Sequence, residues 1–353
     1  MLPLFAALVA ASTAVLIFAG GLVTSTGSGL SVPDWPNTYG WFMWAFPMSK
    51  MVGGIFYEHA HRLIASTVGF LIVVLAAWLG RVEPRRWVRR LGYLALGAVI
   101  AQGILGGITV LWYLPDAISI AHAGLAQIVF CLTVAIALAT SPGWTRGYAQ
   151  LPTSNSQLPR RLSVTDDRTL QHMAIVTTAV IYAQILVGAT MRHTGAGLAI
   201  PDFPLSFGQV IPPHWDAKIA IHFAHRVGAA IVTLLILATA GHVFFHHGRR
   251  LELRRPAILL LLLLAVQITL GALTVLSQKQ FLINSLHVVN GALVLVTSLA
   301  LTLRAHRARF IDAGSTKQDP AYDDSQAART FLPDDARRAK SGEARDERAG
   351  VRA

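Results

Sequence analysis

Residues 26–36 read TGSGLSVPDWP and residues 194–204 read TGAGLAIPDFP, an offset of 168 positions that Gly40 and Gly208 also keep. Working outward, HAHRL (59–63) faces FAHRV (223–227), and GGITVL (106–111) faces GALTVL (271–276). One such match could be the chance likeness of two apolar helices, but four in the same order indicate a duplicated unit. Around these landmarks the apolar residues fall into eight blocks, near 2–24, 57–79, 91–111, 118–140, 170–190, 220–241, 256–276 and 283–303. Each is long enough to cross about 30 Å of hydrocarbon as a helix. Runs such as ILLLLLLAV (258–266) lack the alternation of a transmembrane strand and suit helices, whose backbone hydrogen bonds close within the segment.

Composition agrees. Of 353 residues, 54% are hydrophobic and only 14% charged, and the mean hydropathy is +0.52, which excludes an ordinary water-soluble domain. The expected fold is an all-α polytopic membrane protein of eight transmembrane helices, arranged as two four-helix bundles. Four is an even number, so both copies enter and leave the membrane on one side and form a parallel repeat, unlike the inverted repeats of many transporters. The expected boundaries are an amino-terminal bundle at 1–140, a cytoplasmic linker at 141–169 containing SPGW and PTSNSQLP, a carboxy-terminal bundle at 170–303, and a cytoplasmic tail at 304–353. That tail mixes 11 basic with 9 acidic side chains and has too little apolar content for a core, so it is expected to be disordered.

The net charge is +12, and its distribution explains it without a nucleic-acid partner. Arg81, Arg85, Arg86, Arg89 and Arg90 follow the second block, Arg146, Arg160, Arg161 and Arg168 the fourth, and Arg249, Arg250, Arg254 and Arg255 the sixth. The intervening connections hold few cations. By the positive-inside rule the Arg-rich connections and both termini are cytoplasmic, and the basic residues also attract anionic lipid headgroups. The first block lacks a basic leader and a small-residue cleavage site, so it reads as a retained helix. Cys131 is the only cysteine, which excludes an internal disulfide and leaves a packed small side chain.

The glycines of the 26–36 and 194–204 segments are turn residues whose duplication suggests a cap over a pocket. They lack the strand–turn–helix context of a phosphate-binding loop. Four histidines stand near the outer starts of the even-numbered blocks: His61 and His122 in the first copy, His225 and His287 in the second. Opposed imidazoles on two helices of a bundle can supply both axial ligands of a heme iron. A lone histidine is as readily a buried residue bonded to a carbonyl, and spacing alone does not separate heme from another histidine-rich metal site. Arg62 and Arg226 follow the first histidine of each pair and face either heme propionates or lipid headgroups. Glu58 lies three residues before His61, on the same helical face, while the second copy has His222 in that place. Such a carboxylate can orient a substrate, move protons or stabilise positive charge, or it can pair with Arg62.

Together, GLVTSTGSGLSVPDWP, EHAHRL, GGITVL with AHAGLAQ, TGAGLAIPDFP, HFAHRVGA, and GALTVL with NSLHVVNGA resemble the heme A synthase family, the CtaA/Cox15 group, over about residues 1–305. The resemblance implies an enzyme of the bacterial cytoplasmic membrane that oxidises the C8 methyl of heme O to the formyl of heme A for terminal oxidases. It implies that His61 and His122 flank the substrate heme, that His225 and His287 ligate a bound heme b, and that Glu58 takes part in the reaction, with both hemes towards the external face. The implied partners are heme O synthase, the cytochrome oxidase assembly machinery, an unidentified electron partner and membrane lipid. The chain departs from members that carry cysteine pairs in external loops, since 25–56 and 191–219 contain none. The rival readings are a diheme cytochrome exchanging electrons with quinone, a heme transporter or chaperone, and a parallel-repeat transporter.

Overall fold

The computed structural model describes residues 1–145 and 167–307. The expected disordered tail from 308 and most of the expected linker lie outside the described residues. The protein is an all-α polytopic membrane protein. Eight helices are long and apolar enough to span: α1 (Leu2–Ser25), α2 (Gly53–Val82), α3 (Arg86–Leu111), α4 (Asp116–Thr140), α6 (Arg168–His193), α7 (Ala217–His247), α8 (Leu251–Leu276) and α9 (Phe281–Ala305). A single turn, α5 (Pro142–Thr145), follows α4. At 24 to 31 residues the spanning helices measure roughly 36 to 46 Å, longer than the hydrocarbon they cross, so their ends reach into the interfaces.

Local chemistry fixes the helix ends. Asp167, Asp216 and Gln280 cap α6, α7 and α9, accepting the amides of Leu170, Ile219 and Ile283 at 2.9, 2.7 and 2.8 Å. Pro256 lies inside α8 and has no amide for the carbonyl of Glu252 four residues earlier. Arg304 of α9 donates to that carbonyl through Nη1 at 2.7 Å. A proline that would leave a polar atom exposed to lipid thereby becomes a tie between two helices.

In α1–α4, each helix packs on its chain neighbours and α1 closes on α4; α6–α9 repeat the pattern, with α6 closing on α9. Further contacts join α1 to α9, α4 to α6 and α4 to α9. One apolar cluster includes Val9, Ile72, Leu79, Val88 and Ile136, and another Ile181, Ile236, Leu260 and Leu295. Ile17, Phe130, Ala292 and Val296 form a third between α1, α4 and α9. Cys131 is half-buried and packs against the second and third clusters, the bland role expected for it. In α6–α9, hydroxyls add to the packing: Thr177 bonds Thr239 at 2.8 Å, and Thr178 bonds Ser298 at 2.7 Å. Interhelical bonds of this kind contribute about 0.6 kcal/mol each in a membrane.

The first parts of the two connecting loops, 26–40 and 194–208, match residue for residue; beyond them the first loop is longer and carries two short helical turns, Met43–Ala45 and Met48–Lys50. Asp34 accepts the amides of Tyr39 and Gly40 at 2.8 and 2.9 Å, and Asp202 those of Phe207 and Gly208 at 2.8 and 2.8 Å. The turn glycines Gly40 and Gly208 both have φ of 75°, in the left-handed region that glycine enters without cost. The α3–α4 and α8–α9 turns match as well, with Tyr113 and Leu114 at φ 58° and 58°, and Gln278 and Lys279 at 56° and 63°.

Candidate functional site

The four histidines lie deeper than the apolar blocks suggested. α2 begins at Gly53 and α7 at Ala217, ahead of the expected 57 and 220, so His61 and His225 each sit eight residues into their helices. His122 and His287 each sit six residues into α4 and α9. These depths are about 12 and 9 Å along the helix axis, and they are the same in both copies. The histidines therefore do not open their helices; they stand one and a half to two turns inside. The extra length arises because the Gly-Gly pair at 53–54 and the capped Asp216 start each helix at the end of the external loop.

Each imidazole rests against a glycine on the preceding spanning helix. A Cβ added to Gly20, Gly106, Gly188 or Gly271 would meet Cε1 of His61, His122, His225 or His287 at 3.1, 3.0, 2.9 and 3.1 Å respectively. Absence of a side chain is thus what lets each ring lie flush with the neighbouring backbone. Four residues before three of these glycines stands a glutamine. Gln102 Nε2 lies 3.3 Å from His122 Nε2, Gln184 Nε2 3.0 Å from His225 Nδ1, and Gln267 Nε2 3.4 Å from His287 Nε2. The motif is QxxxG at 102–106, 184–188 and 267–271, and LxxxG at 16–20. Its recurrence was visible in the sequence but is obscured there by the surrounding apolar residues, and the histidine reading missed it.

The support is unequal. Gln267 Oε1 accepts from Asn290 Nδ2 at 2.8 Å, which fixes its amide towards His287. Gln102 Oε1 is buried without a partner, and the position four residues before the glycine under His61 is Leu16, where the other three have glutamine. His61, His122 and His287 each bury an Nδ1 that has no hydrogen-bond partner. Leaving such a polar atom unsatisfied costs about 1 to 3 kcal/mol. An imidazole presenting a nitrogen to a metal removes that cost, so paired rings with unpartnered nitrogens and shaved neighbouring helices fit a heme iron.

Glu58 is 3% exposed and accepts two hydrogen bonds, from the Val32 amide at 2.8 Å and from Arg62 Nη2 at 2.6 Å. Arg62 also donates to the carbonyls of Asp34, Asn37 and Val32 at 2.6, 3.0 and 2.7 Å, which leaves its Nε–H uncommitted. Arg226 donates to the carbonyls of Leu205, Asp202 and Ile200 at 2.7, 2.6 and 3.3 Å. Both arginines thus latch the α1–α2 or α6–α7 loop to the helix bearing the first histidine of each pair. Burial opposes ionisation of Asp34, but the Gly40 and Tyr39 amides outweigh it and hold its carboxyl below the usual value. The Gly208 and Phe207 amides hold Asp202 low in the same way. Each aspartate stays charged and keeps its loop folded over the helix ends.

Among the described residues, the one close group of three metal-ligand side chains is elsewhere: Asp167, His242 and His247. Both histidines lie with Nε2 2.8 Å from Asp167 Oδ2, while Oδ1 caps α6. This cluster joins the end of α7 to the start of α6, at the opposite end of the helices from the four histidines.

Residues 4–299 match the COX15-CtaA family model, described as cytochrome oxidase assembly protein. The chain is 31% identical over 286 residues to the heme A synthase of Symbiobacterium thermophilum, covering 78% of this chain and 87% of that one. It is 26% identical over 325 residues to the heme A synthase of Geobacillus kaustophilus, covering 88% and 96%, and 26% identical over 298 residues to that of Halalkalibacterium halodurans, covering 84% and 94%. With paired histidines on a duplicated framework and a match along nearly the whole spanning region, the chain belongs to the COX15-CtaA family of heme A synthases.

Proposed function

We propose that this protein oxidises the C8 methyl of heme O to the formyl of heme A, with α1–α4 as the substrate bundle and α6–α9 as the bundle that keeps a heme b. The carrying observation is the unequal support of two otherwise matching histidine pairs. His225 and His287 are both held by glutamines, one of them fixed in turn by Asn290. His61 has an apolar neighbour in that place and His122 a glutamine with an unpartnered oxygen. Two glutamine-held rings suit a permanent heme; a pair in which His122 is held by Gln102 but His61 has no glutamine suits a heme that must enter as substrate and leave as product. Heme b, when bound, supplies one-electron relay chemistry, and its two histidines leave no open position on iron.

Conversion of a methyl to a formyl group takes two successive two-electron oxidations, through hydroxymethyl and a hydrated aldehyde, with the four electrons passing to an acceptor and protons leaving the site. Glu58 is the buried carboxylate of the substrate bundle and shares a helical face with His61. Held by Arg62 and the Val32 amide, it is positioned to take up protons released at the methyl carbon or to stabilise developing positive charge. Arg226 keeps donors that its loop carbonyls do not use and can offer them to a propionate. Arg62 keeps only its Nε–H, so its larger role is to hold Glu58 and the loop.

The Arg-rich connections support a reading in which both termini are cytoplasmic and both histidine pairs lie towards the external face of a bacterial cytoplasmic membrane. Heme O synthase as supplier and the oxidase assembly machinery as recipient follow from this chemistry, with an electron acceptor still to be identified. Expression with a heme O synthase, in membranes lacking other heme A synthase activity, tests the reading. Extracted pigment should shift from heme O to heme A; heme O left unchanged beside bound heme b overturns it and returns the diheme cytochrome.

A further inference from the structure

The outer ends of α6–α9 carry three cations that have no counterpart in α1–α4. Arg192 lies at the end of α6, Lys218 in the first turn of α7, and Lys279 in the α8–α9 turn. The matching positions of the first copy are Thr24, Gly54 and Leu114. Lys218 and Lys279 converge on one turn: a Cβ on Gly195 would meet Lys218 Nζ at 3.8 Å, and one on Gly197 would meet Lys279 Nζ at 3.4 Å. In the first copy the same construction at Gly29 meets the apolar side chains of Leu114, at 3.3 Å, and Val23, at 3.9 Å. None of the three cations forms an ion pair among the described residues. The nearby acids of this loop are committed, Asp202 to the Phe207 and Gly208 amides and Asp216 to the cap of α7.

Converging like charges repel, and Lys279 registers it: burial, then Arg192 and Lys218, push its ammonium below the usual lysine value. Such a cluster is stabilised by an anion that bridges its members. Its position defines the anion. It lies at the same end of the helices as His225 and His287, which stand about 12 and 9 Å further along their helices from the first residues, a distance comparable with the reach from a heme iron to its propionate carboxylates.

We propose that Arg192, Lys218 and Lys279 form a carboxylate-binding rim that holds the propionates of the heme ligated by His225 and His287. The inference rests on the assignment of α6–α9 as the heme b bundle and adds what retains that heme. It also gives a reason why Thr24, Gly54 and Leu114 stand at the three matching positions of the first copy: a substrate whose propionates are not clamped there can be exchanged. Arg192 already donates to the Gly21 carbonyl and Ser25 Oγ at 2.7 and 2.8 Å, so the lysines supply the anion contacts that can be removed without loosening α1 from α6.

The test copies the first copy into the second, Lys218→Gly with Lys279→Leu, in the full chain. Apoprotein is reconstituted with heme b or with its dimethyl ester, which lacks propionate charge. Wild type should prefer the free acid by at least about tenfold, the equivalent of 1.4 kcal/mol, and the double variant should lose that preference while keeping a bis-histidine spectrum. The heme midpoint potential should also fall, since nearby cations favour the reduced iron. An unchanged preference and potential overturn the rim, as does an effect confined to binding of anionic lipid vesicles. His225→Ala separates the two levels: full uptake of bis-histidine heme b by that variant overturns the ligation reading itself, whatever the lysine result. Should the double variant fold poorly, Lys279→Leu alone and Lys279→Arg serve, with the arginine variant expected to retain the preference.

Discussion

Glu58 on α2 and His222 on α7 hold matching positions beneath the two loops: each is buried, and each accepts the backbone amide of the residue before the loop's Pro-Asp pair, Val32 at 2.8 Å and Ile200 at 3.2 Å. An acceptor at this point is therefore a requirement of the loop, whereas a negative charge is a property of the first copy alone. Glu58→His and Glu58→Gln should both keep the loop contact and lose the charge. Conversion of heme O should fall by about 10²-fold or more, the usual scale for removing an acid–base group, with heme b content unchanged. Wild-type turnover in Glu58→His, measured as heme A formed per bound heme b, would reduce Glu58 to a loop anchor.

The glycine contacts predict a division of phenotype. Gly188→Ala places a methyl 2.9 Å from His225 Cε1 and Gly106→Ala one 3.0 Å from His122 Cε1, closer than carbon atoms pack. Overpacking of this kind costs about 1 to 3 kcal/mol, relieved by displacing the ring. Gly188→Ala should lower heme b occupancy in the purified protein, while Gly106→Ala should leave that occupancy intact and depress conversion. Equal effects of both substitutions on heme b would argue against separate sites.

Leu16 stands where the other three histidines have glutamine. Leu16→Gln should hold His61 as Gln184 holds His225, and heme A should remain bound after turnover; pigment analysis of washed, purified protein measures the retained product. The reciprocal Gln184→Leu should weaken heme b retention. Product release unaltered by Leu16→Gln would show that ring support does not set exchange.

Arg62 satisfies three loop carbonyls and one carboxylate with a single guanidinium, a geometry an ammonium cannot copy. Arg62→Lys should destabilise the protein by about 3 kcal/mol, the scale for breaking a buried pair, and expose the Val32 amide to faster hydrogen exchange. Arg226→Lys should cost less, because Arg226 is more exposed and its loop is not also tied to a carboxylate. Equal thermal shifts for the two variants would contradict this ordering.

At the other end of the helices, burial opposes ionisation of Asp167, but hydrogen bonds from His242, the Leu170 amide and His247 outweigh it and hold the carboxyl below its usual value. A depressed folded-state value stabilises the fold above the unfolded carboxylate range, near pH 4, and the contribution disappears as pH falls through the lower folded value. Asp167→Asn keeps the cap and loses the charge, so it should lower stability at neutral pH by about 0.3 to 1 kcal/mol, the worth of a carboxylate at a helix start, and the difference from wild type should shrink only in acid below roughly pH 4. A difference that stays constant down to pH 3 would remove the carboxylate from this role.

The sequence by itself determined the membrane class and the eight spans, and it pointed to the repeat and to the four histidines and Glu58 as candidates. These features are written in block length, apolar continuity and repeated motifs, and each depends only on residues close together in the chain. Tertiary structure decided what those residues touch. Nothing in the order of residues signals that Arg62 and Arg226 latch loops 21 to 30 residues away, or that Arg304 answers the carbonyl orphaned by Pro256. Nor does that order reveal that a glycine on the preceding helix seats every histidine, since a glycine among apolar residues reads the same whether it faces lipid, a backbone or a ring. Side-chain chemistry is local and legible; which group on another helix completes it depends on packing, because in lipid every buried polar atom must find its partner inside the protein.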